Sequence, residues 1–365
     1  MFLALRDIRF AKGRFALMGT VVALITLLLV MLSGLTAGLG NQSISAIAQL
    51  APAANAVAFG APAGNEAKAS YTESQVTRDQ LDAWQQADGV EHAEAFGVAQ
   101  TRFSAGGTTN VAVFGVQPGG RLAPAVADGT VILSRTIADE LDVATGDTAD
   151  VAGRQLLVSA VVDDQWYSHT PVVWTSLAQW QKTAHINDGG ASDGPIATAV
   201  AVQLADGDPA GAAAAAANEA AGTVTTSVTG SFQALGSYKS ENGSLLMMQA
   251  FLYGISALVI VAFLTVWTIQ RTRDIAVLKA MGGSDGYLLR DALTQAAIVL
   301  VTGATVGGGV GVLGGYFAAQ AAPFLLTATS TVLPIAGIVL LGMAGAVVAV
   351  RRVTKVDPLT ALGGN

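Results

Sequence analysis

Tyr238, Glu241, Leu245, Met248 and Leu252 follow one another at steps of 3, 4, 3 and 4 residues. That spacing places side chains on one face of a helix. A phenol, a carboxylate and a thioether on one stripe can hold an amphipathic ligand. The carbon chains and ring take its apolar body, and the oxygen and sulfur atoms take its polar centre. Tyrosine and methionine also serve as haem-iron ligands, whereas carboxylate ligation is less usual. Met31 is a further thioether that could face the same space. Each residue also has an ordinary role open to it: Tyr238 as an interfacial anchor, Glu241 as a solvated residue, the methionines as packing.

Other chemistries find little support. The three histidines, His92, His169 and His185, have no metal-type spacing. Asp163-Asp164 with His169 could bind a metal, but the spacing is loose and solvated loop residues are the simpler reading. No G-x-S-x-G motif occurs, and the chain has no cysteine. No lysine follows a glycine, so the G-x-x-x-x-G-K-[ST] phosphate loop is absent. The chain therefore reads as non-catalytic, with no intrinsic cofactor or metal. If ATP drives it, another chain binds the nucleotide.

The elements that position these residues follow from the charge map. Of 365 residues, 52% are hydrophobic and 12% charged, about half the charge of an average soluble protein. Residues 15–65, 242–270 and 292–350 carry no Asp, Glu, Lys or Arg. Each run exceeds the roughly 20 apolar residues that cross a bilayer. We place spans at 15–39 (ending near Gly40-Asn41), 245–270, 292–319 and 331–350, with a break near Pro323 and Pro334. The first apolar stretch is longer than a signal-peptide core of about 7–15 residues, which argues against cleavage. The segments flanking the spans hold 11 basic and 5 acidic residues, and 41–240 holds 8 and 20. Lys and Arg near span ends mark the cytoplasmic side. Both termini and the 271–291 loop are expected there, with the acidic insert outside. An acidic insert also argues against a nucleic-acid partner.

The fold class expected is an α-helical membrane protein with four transmembrane helices and an α+β extracellular domain inserted between helices 1 and 2. In the insert, 41–230, strands are predicted at 54–60, 93–103, 110–116, 130–133, 155–162, 171–174 and 197–204. Helices are predicted at 77–86, 135–141 (capped by Ser134), 176–183 and 209–221. A single helix over 231–270 would be about 60 Å long, with its outer part a stalk above the membrane. Residues 1–14 fit an amphipathic helix in the inner interface. Gly303, Gly307, Gly311 and Gly315 recur every fourth residue and allow close helix approach, with span four or span two the expected partner.

The loop 271–291 reads R-T-R-D-I-A-V-L-K-A-M-G-G-S-D-G-Y-L-L-R-D. It suggests a short helix stopped by Gly282-Gly283 and a new start capped by Ser284 or Asp285. The string resembles the cytoplasmic loop of the MacB/FtsX-type (type VII) ABC transporter permeases. The D-P-L-x-A-L tail from Asp357 and the stretch from Val131 to Gly153 are similar as well. The resemblance implies a homodimer working with two copies of a separate ABC ATPase, which holds ATP and Mg. It makes Arg271, Arg273, Asp274, Ile275, Leu278, Lys279, Met281 and Gly282 the coupling element. It also implies mechanotransmission, in which ATPase closure moves the external domains. Y-K-S-E at 238–241 and D-Q-W-Y-S-H-T-P-V-V-W around Tyr167 resemble the HrtB/DevC-like haem-exporting branch. That branch implies haem-handling roles for Tyr238 and Tyr167, beside Glu241, Met248 and Met31 from the spacing above. The expected function is efflux of haem or a similar amphipathic molecule from the outer leaflet, in contact with membrane lipid. The alternatives are an FtsX-type signal transmitter that activates a cell-wall hydrolase, and a lipoprotein, peptide or drug exporter.

Overall fold

The computed structural model describes residues 12–122, 126–186, 194–270 and 284–354. The coupling residues Arg271, Arg273, Asp274, Ile275, Leu278, Lys279, Met281 and Gly282, and nearly all of the 1–14 segment, lie outside them. The chain forms two compact units, Gly40–Gly243 and Met1–Leu39 with Ser244–Asn365.

Helix α1 (Lys12–Ala48) continues past Gly40-Asn41, where the sequence suggests its end. The inserted unit then runs β1 (Ala56–Phe59), β2 (Val76–Thr77), α2 (Arg78–Gln86), β3 (Val90–Ala105), β4 (Gly107–Val116), β5 (Thr130–Ser134) and α3 (Arg135–Leu141). After these come β6 (Thr148–Val151), β7 (Arg154–Val162), β8 (Trp166–Tyr167), β9 (Thr170–Ser176) and α4 (Leu177–Thr183). β10 (Pro195–Ala197), β11 (Ala199–Leu204), α5 (Ala212–Ala221) and β12 (Val224–Ser227) complete it. The sheet order is β12-β1-β11-β3-β4-β9-β5-β7-β6, and β6 also pairs with β3. Six strands thus close into a ring, and three more extend from it. β3 serves both because of its length: Val90–Phe96 pairs with β11, and Gly97–Ala105 with β4.

Local chemistry explains several element ends. Thr77 and Gln80 form a reciprocal capping box at α2. Ser176 caps α4 through Gln179. Ser134 stands at the N-cap of α3 but does not cap it; its hydroxyl donates to the Val172 carbonyl at 2.6 Å. Asp164 does that work, accepting from the Thr136 N–H at 2.7 Å. Gly97 and Gly115 pair across β3 and β4, and a Cβ on either would lie 2.1–2.2 Å from Trp180. Their missing side chains make the seat for that indole, which is 2% exposed. The sheet has an apolar cluster on each face. One holds Leu81, Trp84, Ile137 and Trp180. The other holds Phe59, Tyr71, Phe96, Phe114, Tyr167 and Trp174, with Ile47 and Leu50 at the end of α1.

Helix α6 (Gly236–Gln270) begins later than a continuous 231–270 helix would. A 3-10 turn at Gly230–Ala234 precedes it, and Leu235 is extended. Its 35 residues give about 52 Å of helix. Helices α7 (Asp285–Ala318, capped by Ser284) and α8 (Ala328–Thr354) follow. The break carries Pro323, but Pro334 lies inside α8. Thr327 and Ser330 exchange side-chain caps at the α8 start, and one missing N–H two turns later does not end the helix.

α1, α6, α7 and α8 each contain a stretch long and apolar enough to cross a membrane. Three of the four regularly spaced glycines of α7, Gly303, Gly307 and Gly311, meet α1 rather than span two or span four, and Gly315 meets Phe324 and Leu326 in the segment before α8. A Cβ on Gly303 would lie 2.8 Å from the Gly19 carbonyl oxygen, one on Gly307 2.1 Å from that of Ala23, and one on Gly311 3.0 Å from Val30. α1 offers Gly19 and Ala23 at the same four-residue step, so two small faces meet with their backbones close. Gly308 alone turns to α8, against Ile335.

Candidate functional site

β8 and β9 form a hairpin whose two turn residues, Ser168 and His169, have φ of 49° and 61°. Both central residues at positive φ is the type I′ pattern, which matches strand twist but favours Asn and Gly. Here the conformation is held by contacts to helix ends within the Gly40–Gly243 unit. The Ser168 N–H donates to the Ser43 carbonyl at 3.0 Å, and the His169 N–H to that of Gln42 at 2.9 Å. The Trp166 N–H donates to Ser45 Oγ at 2.8 Å.

The hairpin also reaches the start of α6. Ser168 Oγ lies 3.0 Å from Ser237 Oγ. His169 Nε2 donates to Glu241 Oε2 at 2.8 Å, with Ser43 Oγ 3.2 Å from the same nitrogen. The His169 and Glu241 side chains are 31% and 43% exposed, so the pair is open to solvent or to a ligand. Tyr238, one turn before Glu241, packs edge-on to Phe232 with ring centroids 6.1 Å apart. Its ring lies over Gly40, where a Cβ would be 3.7 Å away.

The structure places Tyr238 and Glu241 one turn apart at the start of α6 and puts His169, which the sequence reading tied only to Asp163-Asp164, beside Glu241. Those carboxylates go elsewhere: Asp163 pairs with Arg135 at 3.1 Å, and Asp164 caps α3. The 72 residues between His169 and Glu241 hid the pairing. The signal available was the dipeptide Ser168-His169 between W-Y and T-P, a two-residue hairpin with a side chain free to point outward.

Tyr167 stands apart from this group. It is 5% exposed, its ring edge-on to Tyr71 at 6.1 Å and Phe114 at 5.6 Å. Burial pushes its phenol, and that of Tyr71, above the usual tyrosine range. In this state Tyr167 is a core residue that anchors the hairpin, not a surface that lines a site. Met248 is 48% exposed on α6. Met31, on α1, faces Gly314 of α7, where a Cβ would lie 3.5 Å from its sulfur.

Residues 15–220 match the MacB-like periplasmic core domain, more than half of the chain, and residues 246–358 match the FtsX-like permease C-terminal domain. The chain belongs to the MacB/FtsX family of ABC transporter permeases. Its four apolar helices, with an α+β domain between the first and second, are those of a membrane permease of this family. Membership implies an ATPase partner and a dimer. Among similar proteins is one from Staphylococcus epidermidis named as the hemin transport system permease HrtB. It is 24% identical over 375 residues, all of this chain and 99% of that one. A protein of the same name from Staphylococcus haemolyticus is 33% identical over 130 residues, 36% of this chain and 37% of that one. An uncharacterised ABC transporter permease from Mycobacterium tuberculosis is 24% identical over 381 residues, with the same full coverage as the first. The solved extracellular domain of the ABC-type transporter YknZ overlaps 47% of this permease and 99% of itself, at 17% identity and a TM-score of 0.34.

Proposed function

We propose that this permease is the membrane subunit of an efflux pump that expels haem, or a similar amphipathic molecule, from the outer leaflet. The observation that carries this reading is the end-to-end similarity to the hemin-transport permease of S. epidermidis. A phenol and a carboxylate one turn apart at the start of α6 add to it.

Haem is cargo here, and no bond in it changes. Glu241 supplies an oxygen to the polar centre, and Tyr238 supplies an aromatic wall and a hydroxyl. Met248 and Met31 are the thioether candidates. The protein works as a homodimer with two ATPase chains. Both termini lie in the cytoplasm and the inserted domain lies outside, following the excess of basic residues near the cytoplasmic span ends. ATP-driven closure of the ATPases draws the two 271–283 loops together, through contacts made by Arg271, Arg273, Asp274, Ile275, Leu278, Lys279, Met281 and Gly282. α1 and α6 pass this motion outward, and the ligand is squeezed out without crossing the cytoplasmic half.

The test is a double variant, Tyr238→Ala with Glu241→Ala, in purified permease titrated with hemin. Loss of the Soret change seen in the wild type is the expected result. An unchanged titration contradicts the proposed site.

A further inference from the structure

We infer that His169 is a positioning residue: it fixes one oxygen of Glu241 and leaves the other to face the ligand, and the hairpin carrying it ties ligand capture to α1. This rests on the proposed role of Glu241.

The contacts of the hairpin are unequal. Toward α1 it uses three backbone N–H groups, of Trp166, Ser168 and His169, each with an acceptor in place, and His169 Nε2 also lies 3.2 Å from Ser43 Oγ. Toward α6 it uses only side chains, Ser168 Oγ to Ser237 Oγ and His169 Nε2 to Glu241 Oε2. The hairpin is therefore fixed on α1 and reaches out to α6. A flexible glutamate that must act as a ligand loses side-chain freedom on binding. His169 removes that freedom beforehand, because its Nε2–H already holds Oε2. Hydrogen-bonded support of this kind is how ligating carboxylates are commonly oriented. Two non-glycine residues at positive φ are an uncommon turn. Here that turn projects the imidazole toward Glu241.

The test uses full-length permease and hemin as the probe. His169→Asn suits the left-handed backbone but is too short to reach Glu241. It is expected to weaken hemin binding about ten-fold, the lower range for a half-exposed hydrogen bond to a charged group. His169→Gln restores a donor of similar reach and is expected to recover most of that loss. In a Glu241→Ala background, which removes the acceptor, the His169→Asn effect is expected to shrink to nothing. An equal loss in both backgrounds, or no recovery by Gln, overturns the positioning role and leaves His169 as general hairpin support.

A second readout needs no hemin. The chain has no cysteine, so Ser168→Cys with Ser237→Cys gives a clean disulfide probe of the contact between hairpin and α6. Oxidation is expected to be fast with His169 and Glu241 intact, and slower with His169→Asn or Glu241→Ala. Equal rates in all three backgrounds overturn the inference whether or not hemin binds. No Soret change in the wild type overturns the haem reading alone, and the oxidation rates then decide the His169 contact by themselves.

Discussion

At the scale of residues, the chemistry concentrates where two helix ends meet one hairpin turn. Glu241 could be chosen from the sequence because it stands alone at the start of an uncharged run and shares a helical stripe with Tyr238. Its partner could not, because nothing local links His169 to a residue 72 positions away. Tyr167 shows the converse. Its segment resembles the haem-exporting branch, yet the ring is packed among Tyr71 and Phe114. The two buried phenols give a pH prediction. Their folded-state pKa values lie above the unfolded value of about 10, so their stabilisation is complete below that pH. It is lost as pH rises through the raised range. The melting temperature of the full-length protein should fall above pH of about 10, and Tyr167→Phe should reduce the fall. A pH profile unaltered by that substitution would place the alkaline sensitivity elsewhere.

At the scale of elements, uncharged runs marked the four apolar helices, but not their true ends. α1 extends through Gln42, Ser43 and Ser45 because the hairpin binds its last turns, a tertiary effect that composition does not carry. The long Val-rich strands were legible. β2, β6, β8 and β12 are two to four residues long, and alternation has no room to show in them. The glycines of α7 were recognisable as a contact face, while the α1 partner of Gly303, Gly307 and Gly311 required the structure. Gly307→Leu should push α7 off the Ala23 backbone at a cost of about 1–3 kcal/mol, the usual range for overpacking. Thermal unfolding in detergent would show it, with Gly309→Leu, at a position open on all sides, as the control expected to change little. In the inserted domain, Gly97→Ala should be costly for the same reason, since its new methyl group would overlap Trp180. A melting temperature equal to wild type would mean that the indole can move aside.

At the scale of the whole molecule, α6 is the least covered of the apolar helices. Of its most apolar window 11% is buried within the chain, against 33% to 44% for the other three. Met247, Phe251, Leu258 and Ile269 are all more than half exposed and fall within about 40° of one another around the helix. A stripe of this kind suits the axis of the proposed homodimer. Charged substitution of Phe251 and Leu258 together should yield monomer by light scattering in detergent, while a retained dimer would move the interface to another helix. The central proposal, that haem or a molecule like it is the cargo, comes down to a titration of the purified permease with its ATPase partner. Added hemin should shift the Soret band and raise the ATPase rate in parallel. A flat spectrum with an unchanged rate would contradict it.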